Sequence, residues 1–351
     1  MFKYKDDMKK ILAFRIDRLG DYIICSKLLY SLKKKYGYLT IVCSNHNYKL
    51  INKQKFIDEI VIYDKNYSLL KKINIFFKLF FDYYFLIISW DGKKFSNLCS
   101  FLLFSKNKVC LVYKKFQQVF SFNFNIYRPN KFLTKIFFDK ILFFTSRKNL
   151  TKTEHLPTIY ANLLSQYTSE KNHDYFLDIS KESEIEFNSY KEKMNLKDYI
   201  FFHIDEKWSD IDNIDHDLFN AFLKLSYNTS SKIIVSSYKN KENYYNSFKK
   251  NFKTSGASNI YLLEDLNIEL MERFINYSKL SVSCHSGYFI QTTGFNKANV
   301  IDIINENEKL WVSCWQTLNN NYKQIYKNDK QYRFNLEKIF KEIQLIYEKK
   351  L

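Results

Sequence analysis

The sequence predicts an α/β protein built from two doubly wound domains that face a cleft between them. Three observations carry this. Short apolar runs rich in β-branched residues alternate with stretches of helical period, as expected for strands buried on both faces by flanking helices. The alternation fades near residue 113 and restarts near residue 199, making two halves of similar size. Composition supplies large cores: 46% of the 351 residues are hydrophobic and 19% aromatic, with six glycines and two prolines. That excludes global disorder and the Gly- or Pro-rich low-complexity classes.

Strands are predicted at 10–14, 39–43, 59–62, 84–89 and 108–112. The best helix between them is 21–36, where Ile24, Leu28, Leu32 and Tyr36 repeat every four residues and Gly37 supplies a stop. The most apolar stretch, 73–90, is interrupted by Lys78 and Asp82, so it reads as a buried helix followed by a strand and not as a membrane span. Residues 114–150 are aromatic and basic without a clear period. The second series places strands at 199–203, 232–236, 259–263, 280–284 and 299–304, with helices near 216–226, 242–252 and 268–277. A hinge is expected near 171–181. The resulting domains are 1–175 and 176–332, followed by an amphipathic C-terminal helix, 333–351, with Leu336, Ile339, Phe340 and Ile343 on its apolar side.

Lys and Arg exceed Asp and Glu by 55 to 37, a net charge of +18. This suits an acidic partner, whether nucleic acid, an anionic membrane or a phosphorylated substrate, and it equally suits a plain Lys-rich surface. The six cysteines form no CxxC pair and read as thiols of a reducing compartment. The N-terminus lacks the apolar core of a signal peptide.

In such sheets ligands sit at the carboxyl ends of the strands. The first strand runs into Arg15-Ile16-Asp17-Arg18-Leu19-Gly20-Asp21, with Gly20 expected to allow a tight turn and Asp21 at the helix start. A helix cap explains Asp21 on local grounds, and those grounds favour it. The DxD at Asp210-Ile211-Asp212 sits in an Asp/Asn-rich loop, where capping explains it better than metal. No GxSxG, phosphate-binding P-loop or GxGxxG is present. The aromatic-basic run 113–128 is read as an acceptor-binding or membrane-proximal loop, or as composition alone, ahead of a nucleic-acid stacking surface.

The whole run from Lys10 to Asp21, with its following helix ending Lys33-Lys34-Lys35-Tyr36, resembles the opening of glycosyltransferase family 9, the ADP-heptose:lipopolysaccharide heptosyltransferases. The segment from Phe56 to Asp64 and the strand before Asp91-Gly92 continue the likeness. In the second half Lys207-Trp208 is similar to the family's basic-aromatic segment, and Ser286-Gly287 follows a strand in the order of its nucleotide-binding unit. The resemblance covers about the first hundred residues well and 199–305 more loosely.

It implies a GT-B fold of two Rossmann-like domains, acceptor-binding first and nucleotide-sugar-binding second. It also implies an inverting, metal-independent transfer of a heptose or related sugar from an ADP-sugar to a lipopolysaccharide core or other surface glycan. Asp21 takes the place of the catalytic base. Arg18 and Gly20 beside it are the candidate acceptor contacts, though Arg18 equally suits a solvated surface charge. His203, Lys207, His285, Ser286 and Gly287 take the place of the donor site, where amides and a lysine hold the diphosphate without a metal. The implied partners are a nucleotide-sugar donor and an anionic glycolipid acceptor, with no cofactor and no nucleic acid. The implied location is cytoplasmic, extending to peripheral contact with the inner membrane.

Two positions depart from the family pattern: His285 stands where an acidic residue is usual, and Ile290 where a histidine is usual. His285 suits a donor to a diphosphate or ribose and equally an ordinary polar residue after a strand. These departures motivate the alternative reading, a GT-B-like binding or scaffolding subunit without transfer activity.

Overall fold

A computed structural model of the chain describes residues 8–113, 139–144, 155–170, 175–211, 214–237, 249–252, 258–285, 299–316, 322–327 and 332–348. Two compact units divide at Asp178 and Ile179.

The first unit carries strands β1 (Lys9–Arg15), β2 (Gly37–Cys43), β3 (Glu59–Ile62), β4 (Tyr84–Ser89), β5 (Ser105–Tyr113) and β6 (Lys140–Phe144) in one parallel sheet of order β3-β2-β1-β4-β5-β6. Helices α1 (Leu19–Tyr36), α2 (Asn45–Ile51), α3 (Leu69–Phe80), α4 (Lys94–Leu102) and α5 (Leu156–Leu163) connect or cover it. β1 is central, and Ile11, Leu12, Ala13 and Phe14 are all buried, which explains its uninterrupted apolar run. The predicted stop at Gly37 is realised. Gly37 adopts φ 95°, and its N–H closes α1 on the Lys33 carbonyl. A Cβ there would lie 2.7 Å from Met8 Cγ, so both backbone and space demand glycine.

The second unit repeats the plan. Its strands β7 (Tyr199–His203), β8 (Lys232–Ser237), β9 (Ile260–Glu264), β10 (Leu280–Ser283), β11 (Asn299–Asn305) and β12 (Tyr322–Lys327) form a parallel sheet of order β12-β11-β10-β7-β8-β9. Helices α6 (Lys181–Lys193), α7 (Ile214–Thr229), α8 (Ile268–Tyr277), α9 (Lys309–Ser313) and α10 (Tyr332–Glu348) belong to it. Leu336, Ile339, Phe340 and Ile343 of α10 enter a core shared with Phe202 of β7 and Phe222 of α7. The C-terminal helix is therefore part of this unit's core.

In both sheets the first strand of the unit lies beside the fourth, so the connections leave in opposite directions and a crevice opens at their carboxyl ends. For the first unit that point lies between β1 and β4, and for the second between β7 and β10.

Three expectations need correction. Gly20 makes no left-handed turn; it is the buried second residue of α1. The helix within 73–90 exists, as α3, but only Ile75 and Leu79 on it are buried, because a helix covering one sheet face hides one stripe and not its circumference. Elements α2, α4, α5, α6, α9, β6 and β12 were not foreseen, since short or polar elements carry too few periods to register. All six cysteines are buried thiols. Among the described residues no helix is long and apolar enough to cross a membrane.

Candidate functional site

At the switch point of the first unit, β1 ends in Arg15, which is buried although it is an arginine. Asn47 Nδ2 donates to its carbonyl at 3.0 Å, and its own Nε donates to the Asp21 carbonyl at 2.8 Å. The guanidinium lies 3.3 Å from Asp17 Oδ2, 3.8 Å from Asp21 Oδ1 and 5.8 Å from the Tyr160 ring centre. Burial is the largest influence and disfavours the cation, but Asp17, Cys25, Tyr160 and Asp21 together outweigh it and push the Arg15 guanidinium well up. Nη1 and Nη2 sit within ion-pair range of carboxylates but make no aligned hydrogen bond among the described residues.

Asp91, just past β4, reaches the same place. Its carboxylate accepts from Ser96 Oγ at 2.6 Å, Lys93 N at 2.9 Å and Ile16 N at 3.3 Å. Burial pushes the Asp91 carboxyl above the ordinary range against these hydrogen bonds. Burial pushes Asp17 further up, with Asp21 and Asp91 adding like charge and Arg15 opposing.

Asp21 differs from both. As the third residue of α1 it accepts the Arg18 N–H at Oδ2, 3.2 Å away, so it caps the helix. It nevertheless keeps 26% of its side chain exposed, against 16% for Asp17. Arg18 beside it is exposed. The arrangement is a buried cation ringed by carboxylates, of which Asp21 is the most exposed. A carboxylate at a helix N-terminus, steadied by a guanidinium, can take a proton from a hydroxyl within hydrogen-bond reach.

In the second unit the switch point gathers His203, Lys207 and His285. His203 is buried, its ring bonded to Ser236 Oγ at 2.9 Å, and its carbonyl accepts from Trp208 Nε1 at 2.9 Å. Lys207 Nζ donates to the His285 carbonyl. His285 has φ 42°, a left-handed backbone that a histidine holds only when its surroundings impose it. Its Nδ1 donates to Asp302 Oδ2 at 2.8 Å, and Tyr322 donates to the same oxygen at 2.6 Å. Burial and the Asp302 charge push the Tyr322 phenol well up. Asp302 is fully buried, and among the described residues its other oxygen has no hydrogen-bond partner. Ser286, Gly287, Ile290 and Asp212 lie outside the described residues, as does all but the first residue of the run 113–128.

Sequence reasoning missed Arg15, Asp17, Asp91, Asp302 and Tyr322 as site residues. The signal for Asp302 was a lone charge inside Asn299–Asn305, an otherwise apolar strand, where a buried carboxylate requires a partner. Asp302→Ala is expected to deprive the half-buried Tyr322 hydroxyl of its acceptor and cost about 1–3 kcal/mol, read by urea unfolding. An unchanged midpoint would mean water replaces the carboxylate.

No family model matches the chain, and no curated protein matches it by sequence. Solved structures do match in shape. A glycosyl transferase family 9 structure from Veillonella parvula superposes with a TM-score of 0.68 at 12% identity, covering 99% of both chains. The Escherichia coli ADP-heptose lps heptosyltransferase II gives 0.63 at 9% identity, over 97% of this chain and 99% of its own. An E. coli heptosyltransferase solved with ADP gives 0.61 at 12% identity, over 96% and 99%. At such identities the likeness is one of fold: the chain has the two-sheet α/β fold of the GT-B glycosyltransferases.

Proposed function

We propose that the protein is an inverting, metal-independent glycosyltransferase that moves a heptose or related sugar from an ADP-sugar to an anionic surface-glycan acceptor. The observation that carries this reading is Asp21: a part-exposed carboxylate at the start of α1, at the switch point of the first sheet, held by the Arg18 amide and the Arg15 guanidinium. Shape similarity to heptosyltransferases, one of them solved with ADP, supports the donor class.

In this mechanism an acceptor hydroxyl gives its proton to Asp21 as its oxygen attacks the anomeric carbon. The bond from that carbon to the diphosphate breaks, and its electrons leave with the phosphate oxygen. Arg18 binds acidic groups of the acceptor. Lys207, with the amides of Ser286 and Gly287, offsets the charge developing on the leaving diphosphate. His285, its Nδ1 committed to Asp302, presents Nε2 to the nucleotide. The second reading, a GT-B-like binding or scaffolding subunit without transfer activity, rests on His285 and Ile290, which stand where the family usually has an acidic residue and a histidine. Release of sugar from ADP-sugar separates the two.

The test of the donor site is a thermal-shift panel without added divalent metal. ADP at about 100 times its dissociation constant should add about 2.7 kcal/mol of stability, and UDP, GDP and CMP less. Lys207→Ala should weaken ADP binding. Equal stabilisation by all four nucleotides, or strict dependence on magnesium, would count against the assignment.

A further inference from the structure

Helix α3 turns an apolar face to water. Leu69 is 73% exposed, Leu70 74%, Phe77 49% and Phe81, just past its end, 83%. With Ile73 they fall within an arc of about 120° at 100° per residue, opposite the buried Ile75 and Leu79. The patch continues off the helix. Phe80 meets Phe81 at 5.8 Å and Phe104 at 5.1 Å between ring centres, and Leu102, Phe104 and Tyr83 are exposed. This is a contiguous aromatic surface, not scattered single residues.

Its border is basic. α3 contains Lys71, Lys72 and Lys78 and no acidic residue, and Lys65 and Lys106 are exposed at either side in sequence. Two carboxylates beside it are paired, Glu59 with Lys78 at 2.9 Å and Asp82 with Lys10.

We propose that α3, with Phe81, Tyr83, Leu102 and Phe104, is the surface by which this protein docks on an anionic lipid membrane. The phenylalanines and leucines enter the headgroup boundary while the lysines meet the lipid phosphates. Charge complementarity selects this occupant. Two copies meeting through the same patch would set lysines against lysines. The twelve residues of α3 are too few to span a bilayer, which takes ~20, but enough to lie in its surface. The inference does not depend on the transferase reading, because its readout is lipid binding.

The experiment is co-sedimentation of the full chain with vesicles of phosphatidylcholine alone and of phosphatidylcholine with phosphatidylglycerol, beside analytical ultracentrifugation without lipid. The protein is expected to bind the anionic vesicles and to release in high salt. Phe77→Ser with Phe81→Ser should weaken binding about tenfold or more through lost apolar burial, and Lys71→Gln with Lys78→Gln should do so through lost charge, at roughly fivefold per lysine. Both pairs are exposed, so melting temperatures should stay near that of the parent chain. Failure to bind anionic vesicles, or binding indifferent to both pairs, would overturn the proposal. So would a dimer that the serine pair converts to monomer, since the occupant would then be a second copy.

Discussion

Asp21→Asn should lower turnover by about 10²–10⁴-fold while melting temperature and ADP affinity stay close to those of the parent protein. The asparagine oxygen can still accept the Arg18 N–H, so the cap at the start of α1 survives. The Arg15 Nε bond goes to the Asp21 backbone carbonyl and is indifferent to the side chain. What the substitution removes is the capacity to take a proton. The measurement is therefore paired, with unfolding and ADP binding taken on the same preparation as turnover. A folded, ADP-binding and fully active mutant would sink the mechanism. A mutant that simply unfolds would show instead that the Asp21 charge beside Arg15 is needed for the fold.

Arg15→Met should destabilise the protein by about 3–5 kcal/mol at neutral pH, the range for removing one partner from a buried ion pair. Methionine fills much of the volume beside Tyr160, so the loss would come chiefly from Asp17 and Asp91, left buried near Asp21 without a cation. The pH dependence identifies the cause. Both Asp17 and Asp91 already have folded pKa values above the ordinary carboxylate range, first because of burial. Groups raised in this way favour the fold fully below their unfolded pKa and lose that contribution as pH rises through the folded value. Without Arg15 both rise further, so the deficit should be largest near pH 8 and shrink toward pH 5. Urea unfolding at the two pH values reads it. A deficit independent of pH would mean that packing, not charge, was lost.

How legible this protein is from its sequence depends on the range of the forces involved. Burial of β1, β4 and β7 on both faces forces apolar runs, so those strands could be read almost to the residue, and Gly37 could be read as a stop because left-handed backbone favours glycine. The Asp21 position was legible because strand end, turn and helix start are local in sequence, and the family resemblance rests on the same stretch. The Arg15–Asp17–Asp91 cluster was not, because Asp91 reaches Ile16 across 75 residues of chain, and only the pairing of β1 with β4 brings them together. Asp302 and His285 likewise meet only because β10 and β11 are neighbours. α3 shows the same limit from the other side. Its apolar composition announces a helix, but composition does not say which face meets the sheet; the packing of Ile75 and Leu79 under the helix decided that, and it left Leu69, Leu70, Phe77 and Phe81 turned to water.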